Sequence, residues 1–435
     1  MTDFNIRHIS FWTASSFIVA SMIGTGVFTS LGFQLVDIQS IFPLLMLWVV
    51  GGIVALCGAL TYGELGSALP RSGGEYHLLR RILHPSIGFA AGIVSATVGF
   101  TAPSILAAIA LGSYIKAVFP IFDQTIIACL VIVFFHVIHM KSIRWGTIFQ
   151  DGSTAIKVGL LFIFIIFGFL TTNTQSISIL PKPGDGAILI SSSFAVSLVW
   201  VSYAYTGWNS VIYIAGEIKD SQKNISRTML FATGFVMFIY VLLNYVFLNT
   251  APLTDMVGKV DIGYVSGVAI FGSAGAKVIA LGISLLLLST VSSYVYIGPR
   301  IMQIMGEDHK IISFLKVTNK NNIPINAFWL QLFISFVFII TSSFEQVLMY
   351  AGITLILTTT LTVISLFILR YKEPLLHRPY RVWGYPFTPL IYLIVNVWIL
   401  FYSFQESQFE SIIGIGILIL SIVIYYIFDR KHASV

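Results

Sequence analysis

Long apolar runs separated by short polar connections set the pattern of this 435-residue chain. A helix needs about 20 predominantly apolar residues to cross a bilayer. On that rule the pattern predicts twelve spanning helices, at approximately 9–30, 41–66, 88–118, 124–140, 154–171, 191–216, 228–250, 268–304, 325–342, 346–370, 387–404 and 411–428. The third and eighth are long enough to tilt or to extend beyond the bilayer. The first run is too long for a secretory signal and no small-residue cleavage site ends it, so it reads as the first span. No shift of composition marks a soluble domain. The expectation is one all-α integral membrane domain over residues 1–435.

Two of these spans are interrupted. In the first, Ser21-Met22-Ile23-Gly24-Thr25-Gly26-Val27-Phe28-Thr29-Ser30 places two glycines and small hydroxyl residues where a spanning helix should be most regular. In the sixth, Tyr203-Ala204-Tyr205-Thr206-Gly207-Trp208-Asn209-Ser210 does the same. Backbone groups freed at membrane depth are tolerated only where protein, water or a ligand satisfies them. Interrupted spans at corresponding positions of two halves point to a transporter site. An odd offset of five spans gives the halves, roughly 9–171 and 191–370, opposite topology, which is an inverted repeat with 387–428 left as two extra helices. Close helix packing is the other use of such glycines, but Gly24 and Gly26 are two apart and lie on different faces. A broken helix offers its positive N-terminal end to a carboxylate and terminal carbonyls to an ammonium. A zwitterion is then held without a charged side chain, and neither stretch contains one.

Charge refines this picture. Only 10% of residues are charged and 57% are hydrophobic, against about 25% charged in soluble domains. The net charge of +6 does not indicate a nucleic-acid partner, because the basic residues are spread through the connections, where they set orientation. With the N-terminus in the cytoplasm, nineteen of the 24 lysines and arginines fall inside, Lys116, Lys182, Lys259 and Lys277 fall outside, and Lys157 lies within a span. Both termini are therefore expected in the cytoplasm. Cys57 and Cys129 sit in apolar runs and are expected as buried free thiols. His136 and His139 have no third ligand nearby and read as helix-end histidines. There is no Gly-x-x-x-x-Gly-Lys phosphate loop and no catalytic Ser/His or metal constellation. The expectation is a protein that is not an enzyme and needs no cofactor.

Four side chains stand out individually. A lysine at a helix centre costs about 2.5–3.5 kcal/mol on insertion scales, which makes Lys157 a functional candidate. The alternative is an ammonium that snorkels to the interface, since Lys157 follows Asp151 by six residues. Glu64 and Glu217 lie near the ends of the second and sixth spans, where an interfacial ion pair without a transport role is one reading. For Glu217 the other is an inner gate closing on Arg7 or Lys219. Trp208 is either a gate stacked over a substrate or a core aromatic. No mid-span carboxylate lies near either break, which counts against a polyamine or organic-cation carrier.

The motifs also resemble a known family. Thr61-Tyr62-Gly63-Glu64-Leu65-Gly66, followed by Pro70, Gly73-Gly74 and Tyr76, is similar to the second-span signature of the amino acid–polyamine–organocation (APC) superfamily. Gly207-Trp208-Asn209, Gly216-Glu217-Ile218 and Asn224-Ile225-Ser226-Arg227 resemble its L-amino-acid transporter (LAT) branch. Arg300 before Gly306-Glu307-Asp308, Ile323-Pro324, and Arg378-Pro379-Tyr380 through Tyr385-Pro386 fit the same branch. The likeness runs in order along nearly the whole chain. It implies a LeuT-type fold with a 5+5 inverted repeat and broken helices 1 and 6. It further implies secondary transport of L-amino acids by alternating access, independent of sodium, by exchange or linked to protons. By position, Ile23, Gly24, Thr25 and Gly26 would contact the substrate's carboxylate and amine, with carbonyls from Tyr203, Ala204 and Thr206. Thr206, before Gly207, stands where many relatives carry glycine. Lys157 stands where sodium-independent members place a lysine charge in the sodium site. Tyr240 and the eighth-span hydroxyls Ser289, Ser292 and Ser293 are implied beside it. A sodium-coupled symporter is the rival that Lys157 opposes. Eukaryotic relatives attach to a glycoprotein subunit through an external cysteine after the third span. The connection from Lys116 to Gln124 has none, so no disulfide-linked partner is expected and the chain works alone or as a homo-oligomer.

Overall fold

Each apolar run expected to span is helical in the computed structural model, which describes residues 9–141, 144–172, 174–175 and 177–428, the side chains of 144–155 excepted. Arg7, Arg430 and Lys431 lie outside the described residues, as do the side chains of Arg144 and Asp151. The first run forms α1 (Phe11–Met22) and α2 (Gly26–Asp37), and the second forms α3 (Ile41–Ala68). After α4 (Gly74–Ile82), the third run is α5 (Pro85–Val94) and α6 (Thr101–Val118), joined by a π turn over Ser95–Gly99. Then come α7 (Gln124–Lys141), α8 (Arg144–Leu170), the short α9 (Asp185–Leu189) and α10 (Ser192–Tyr205), followed by a 3₁₀ helix over Ser210–Glu217. The remainder is α11 (Ser221–Thr250), the short α12 (Leu253–Met256), α13 (Ile262–Asp308), a 3₁₀ helix over Lys310–Lys316, α14 (Ile325–Thr341), α15 (Phe344–Lys372), α16 (Phe387–Glu406) and α17 (Gln408–Phe428).

Among the described residues the β structure amounts to one isolated bridge, Ile9 to Ile218, and nine helices are long and apolar enough to cross a membrane. Residues 156–170 and 325–341 are shorter apolar helices. The chain is thus an all-helical, multi-pass membrane protein. Several helices outrun their apolar windows because polar residues continue the backbone ladder once a helix is nucleated. So α11 starts at Ser221 and α2 continues to Asp37. In α13 two helices are merged across a non-helical Gly272 (φ 70°), which is why it begins before the expected eighth run.

The large apolar core spans the whole bundle, with α3 packed along α11 and α6 along α13. Large apolar side chains on the outside, such as Ile126, Leu130 and Phe134 of α7, face the lipid. Cys57 is buried as expected, but Cys129 is only partly so, because it lies beside that outer face of α7. Glu64 is fully buried rather than interfacial. It accepts from Arg370 Nε at 2.8 Å and Nη2 at 2.5 Å, and from the Val382 N–H at 2.7 Å, with Arg378 Nε 3.3 Å away. One carboxylate therefore ties α3 to α15 and to the segment leading into α16.

Candidate functional site

The first span breaks because Ile23 is extended (ψ 94°), ending α1, while Thr25 returns to helical angles and starts α2. The N–H groups of Gly24, Thr25, Gly26 and Val27 find no backbone acceptor among the described residues. These are the orphan donors that open a helix, at its positive end. On the other side of the break, the Met22 carbonyl accepts from Tyr240 Oη at 2.6 Å, and the Ser21 carbonyl lies 3.4 Å from Tyr294 Oη. Tyr240 thus serves the break itself. In the sixth span α10 ends at Tyr205, Thr206 is extended, and Gly207 takes φ 107°.

The two breaks interlock. A Cβ on Gly26 would lie 2.4 Å from Ala204 Cα, and one on Gly207 would lie 2.8 Å from the Ser21 carbonyl carbon and oxygen. Both glycines therefore allow backbones to meet, so the packing reading of Gly26 holds alongside the broken helix. Small residues at helix interfaces permit such approach.

A cavity of about 400 Å³ begins at this contact. Of the residues singled out in the sequence, Lys157, Tyr203, Thr206, Gly207, Trp208, Glu217 and Ser293 line it. Ile23 to Gly26 do not form its wall; the first span contributes Phe17, Ala20 and Ser21 instead. Ala204 is spent against Gly26.

Lys157 does not snorkel: it is 3% exposed, and its Nζ donates to Thr290 Oγ1 at 3.1 Å. Thr290 is also the side chain nearest to Gly24, 3.6 Å from where a Cβ would stand, so it links the lysine to the first break. The eighth-span hydroxyls divide by helical phase. Thr290 and Ser293, three residues apart, line the cavity. Ser292 is bonded to His139 Nε2 at 3.0 Å, and Ser289 accepts from Ser293 Oγ through its carbonyl. Among the described residues the hydrogen bond from Lys157 goes to Thr290, a hydroxyl not singled out in the sequence.

Trp208 is 6% exposed, edge-on to Tyr62 at 4.7 Å and near Tyr392 at 6.4 Å. Glu217 is exposed at the cavity rim, and its carbonyl accepts the Ile9 N–H. Arg7, one of its two suggested gate partners, lies outside the described residues. The third span adds its π turn, where Ser95 and Gly99 reach the cavity and Ser95 Oγ is 3.2 Å from Tyr213 Oη; such turns are frequent at functional sites.

A carboxylate from outside the spans also reaches this site: α4 carries Glu75 into the cavity wall, where Asn209 Nδ2 and Tyr213 Oη donate to its two oxygens. The signal was present in Gly73-Gly74-Glu75-Tyr76, but a search confined to spanning segments passes over a helix in a connection.

Comparison with known proteins supplies the wider context. The family model described as amino acid permease matches residues 9–428. The chain is 24% identical over 439 residues to the large neutral amino acids transporter small subunit 2 of Mus musculus, covering 97% of this chain and 81% of that protein. It is 25% identical to the Asc-type amino acid transporter 1 of Mus musculus, with 97% and 81% covered. To the b(0,+)-type amino acid transporter 1 of Mus musculus it is 24% identical, with 94% and 85% covered.

Proposed function

The chain belongs to the amino acid permease family, and from that premise we propose that it carries L-amino acids across the cell membrane by alternating access. It is a transporter and not an enzyme, as its relatives are. Under this proposal the helices form a LeuT-type bundle of twelve spans in one domain. The inverted repeats are 9–171 and 191–370, followed by two extra helices, and both termini are cytoplasmic. The observation that carries the reading is the pair of interlocked breaks at the end of one cavity, with a buried lysine bonded to the threonine beside Gly24.

The free N–H groups at the start of α2 receive the substrate carboxylate, and the carbonyls near Ser21 and Tyr203 to Thr206 receive its ammonium. Reaching those donors draws Ser21 and Gly207 apart, which is the motion alternating access requires of the contact. Lys157 supplies a fixed positive charge where a sodium ion would otherwise sit, so transport runs without sodium, by exchange or with a proton. Trp208 closes the floor of the site and Glu217 its inner rim. One relative's name describes a small subunit. In this chain residues 116–124 contain no cysteine, and we propose a carrier without a disulfide-linked partner, monomeric or homo-oligomeric.

Counterflow tests the proposal. Liposomes containing the purified protein and preloaded with unlabelled amino acid should accumulate labelled amino acid transiently, without sodium. A channel or a non-transporting sensor gives no such overshoot.

A further inference from the structure

Glu75 brings a negative charge to the cavity that neither break requires. It is 3% exposed, and both of its hydrogen-bond donors, Asn209 and Tyr213, are neutral. Among the described residues it forms no ion pair. The two cations on the same wall are engaged elsewhere: Lys157 Nζ with Thr290, and the Arg300 guanidinium 3.8 Å from the centre of the Tyr296 ring. A carboxylate buried without a counter-charge is costly. Burial pushes the Glu75 carboxyl above the usual range, and the bonds from Tyr213 and Asn209 pull it back. Among the described residues no cation pairs with Glu75, and the hydroxyls of Tyr213 and Tyr62 face its carboxyl.

Its position fits a side-chain subsite. Asn209, which holds Glu75 through its side chain, follows Gly207 by two residues, so the carboxylate stands one asparagine side chain beyond the break. A lysine carries its ammonium on a flexible four-carbon stem, away from its main chain. We propose that Glu75 is the subsite for a cationic substrate side chain: an L-amino acid held by its main chain at the breaks extends an ammonium or guanidinium to this carboxylate. The inference rests on the carrier reading above and names the class of side chain that the cavity prefers.

Competition in proteoliposomes tests it. Uptake of labelled leucine and labelled lysine is measured with unlabelled lysine or norleucine, lysine's uncharged analogue, as competitor. Wild type should favour lysine over norleucine at least tenfold, and Glu75→Gln should reduce that ratio at least tenfold. Equal competition in the wild type overturns the proposal and needs no variant. A parallel loss of both competitors in Glu75→Gln also overturns it, leaving Glu75 as a bracket between α4 and the 3₁₀ helix. So does a pH dependence of uptake that vanishes in Glu75→Gln with the ratio unchanged, which makes the bound cation a proton. Transport of leucine without lysine preference refutes the subsite alone, whereas no amino acid uptake at all refutes the carrier reading and the subsite with it.

Discussion

Replacing Gly207 with alanine probes the contact at which the two breaks meet. The new Cβ would stand 2.8 Å from the Ser21 carbonyl carbon and oxygen and 3.0 Å from the Met22 nitrogen, on a backbone with φ 107°. All three neighbours are main-chain atoms, so no side chain can swing aside. Holding a non-glycine residue at such an angle costs about 1–3 kcal/mol, and overpacking typically adds about 1–3 kcal/mol. The backbone strain persists as long as the residue keeps this angle, but the clash exists only while Ser21 and Gly207 touch. The clash therefore works against the closed contact alone, and about 1–3 kcal/mol corresponds to roughly a 5- to 150-fold shift in population. Initial counterflow rates in proteoliposomes should fall at least about fivefold, with Gly416→Ala as control, since nothing lies within 4 Å of a Cβ there. Wild-type rates from a correctly folded Gly207→Ala protein would show that transport does not pass through this contact.

Other outcomes follow from the same geometry. Lys157→Ala should abolish uptake while the protein stays monodisperse in detergent, and Thr290→Val should slow it about tenfold, as loss of a hydrogen bond to a charged group costs about 1.5–3 kcal/mol; stimulation of wild-type uptake by sodium would refute the role given to the lysine. Trp208→Ala should raise the substrate KM at least tenfold, and unchanged kinetics remove the tryptophan from the site. Glu64→Gln strands two arginines, and at about 3–5 kcal/mol for a broken buried pair it should lower the Tm measured in detergent by several degrees; an unchanged Tm contradicts the account of that cluster. His77, outside the spans, is held down to about 4 by burial and then by Arg71, Arg80 and Arg81. A depressed histidine adds stability that is full above its ordinary value near 6.5 and is lost as pH falls from there towards 4. His77→Gln should blunt the fall in Tm over that window, and identical pH profiles would refute it.

Much of the architecture was legible because lipid imposes strong rules on sequence. Apolar length located the helices, and paired glycine-rich stretches located both breaks. Burial cost alone marked Lys157. What the sequence hid depends on rotation and approach. Lys157 bonds Thr290, one residue after Ser289 and two before Ser292, and spacing alone does not say which of these hydroxyls turns to the lysine. Gly26 and Ala204 are 178 positions apart in the sequence, and no local pattern announces that they touch. Glu75 was overlooked because α4 is too short and too polar to register as a span, although its tertiary position puts it beside Asn209.

The Glu64 cluster also bears on how the chain is made. Its carboxylate emerges early, on α3, while Arg370 follows 306 residues later. At about 5–20 residues per second, synthesis leaves the glutamate without its arginines for roughly 15–60 s. During that interval the second helix carries an acidic side chain without its partners, which favours holding that end at the headgroups. Completion of α15 and the segment after it is then what locks the early helices in place, so a nascent chain stopped before Arg370 should remain open to proteolysis at the end of α3.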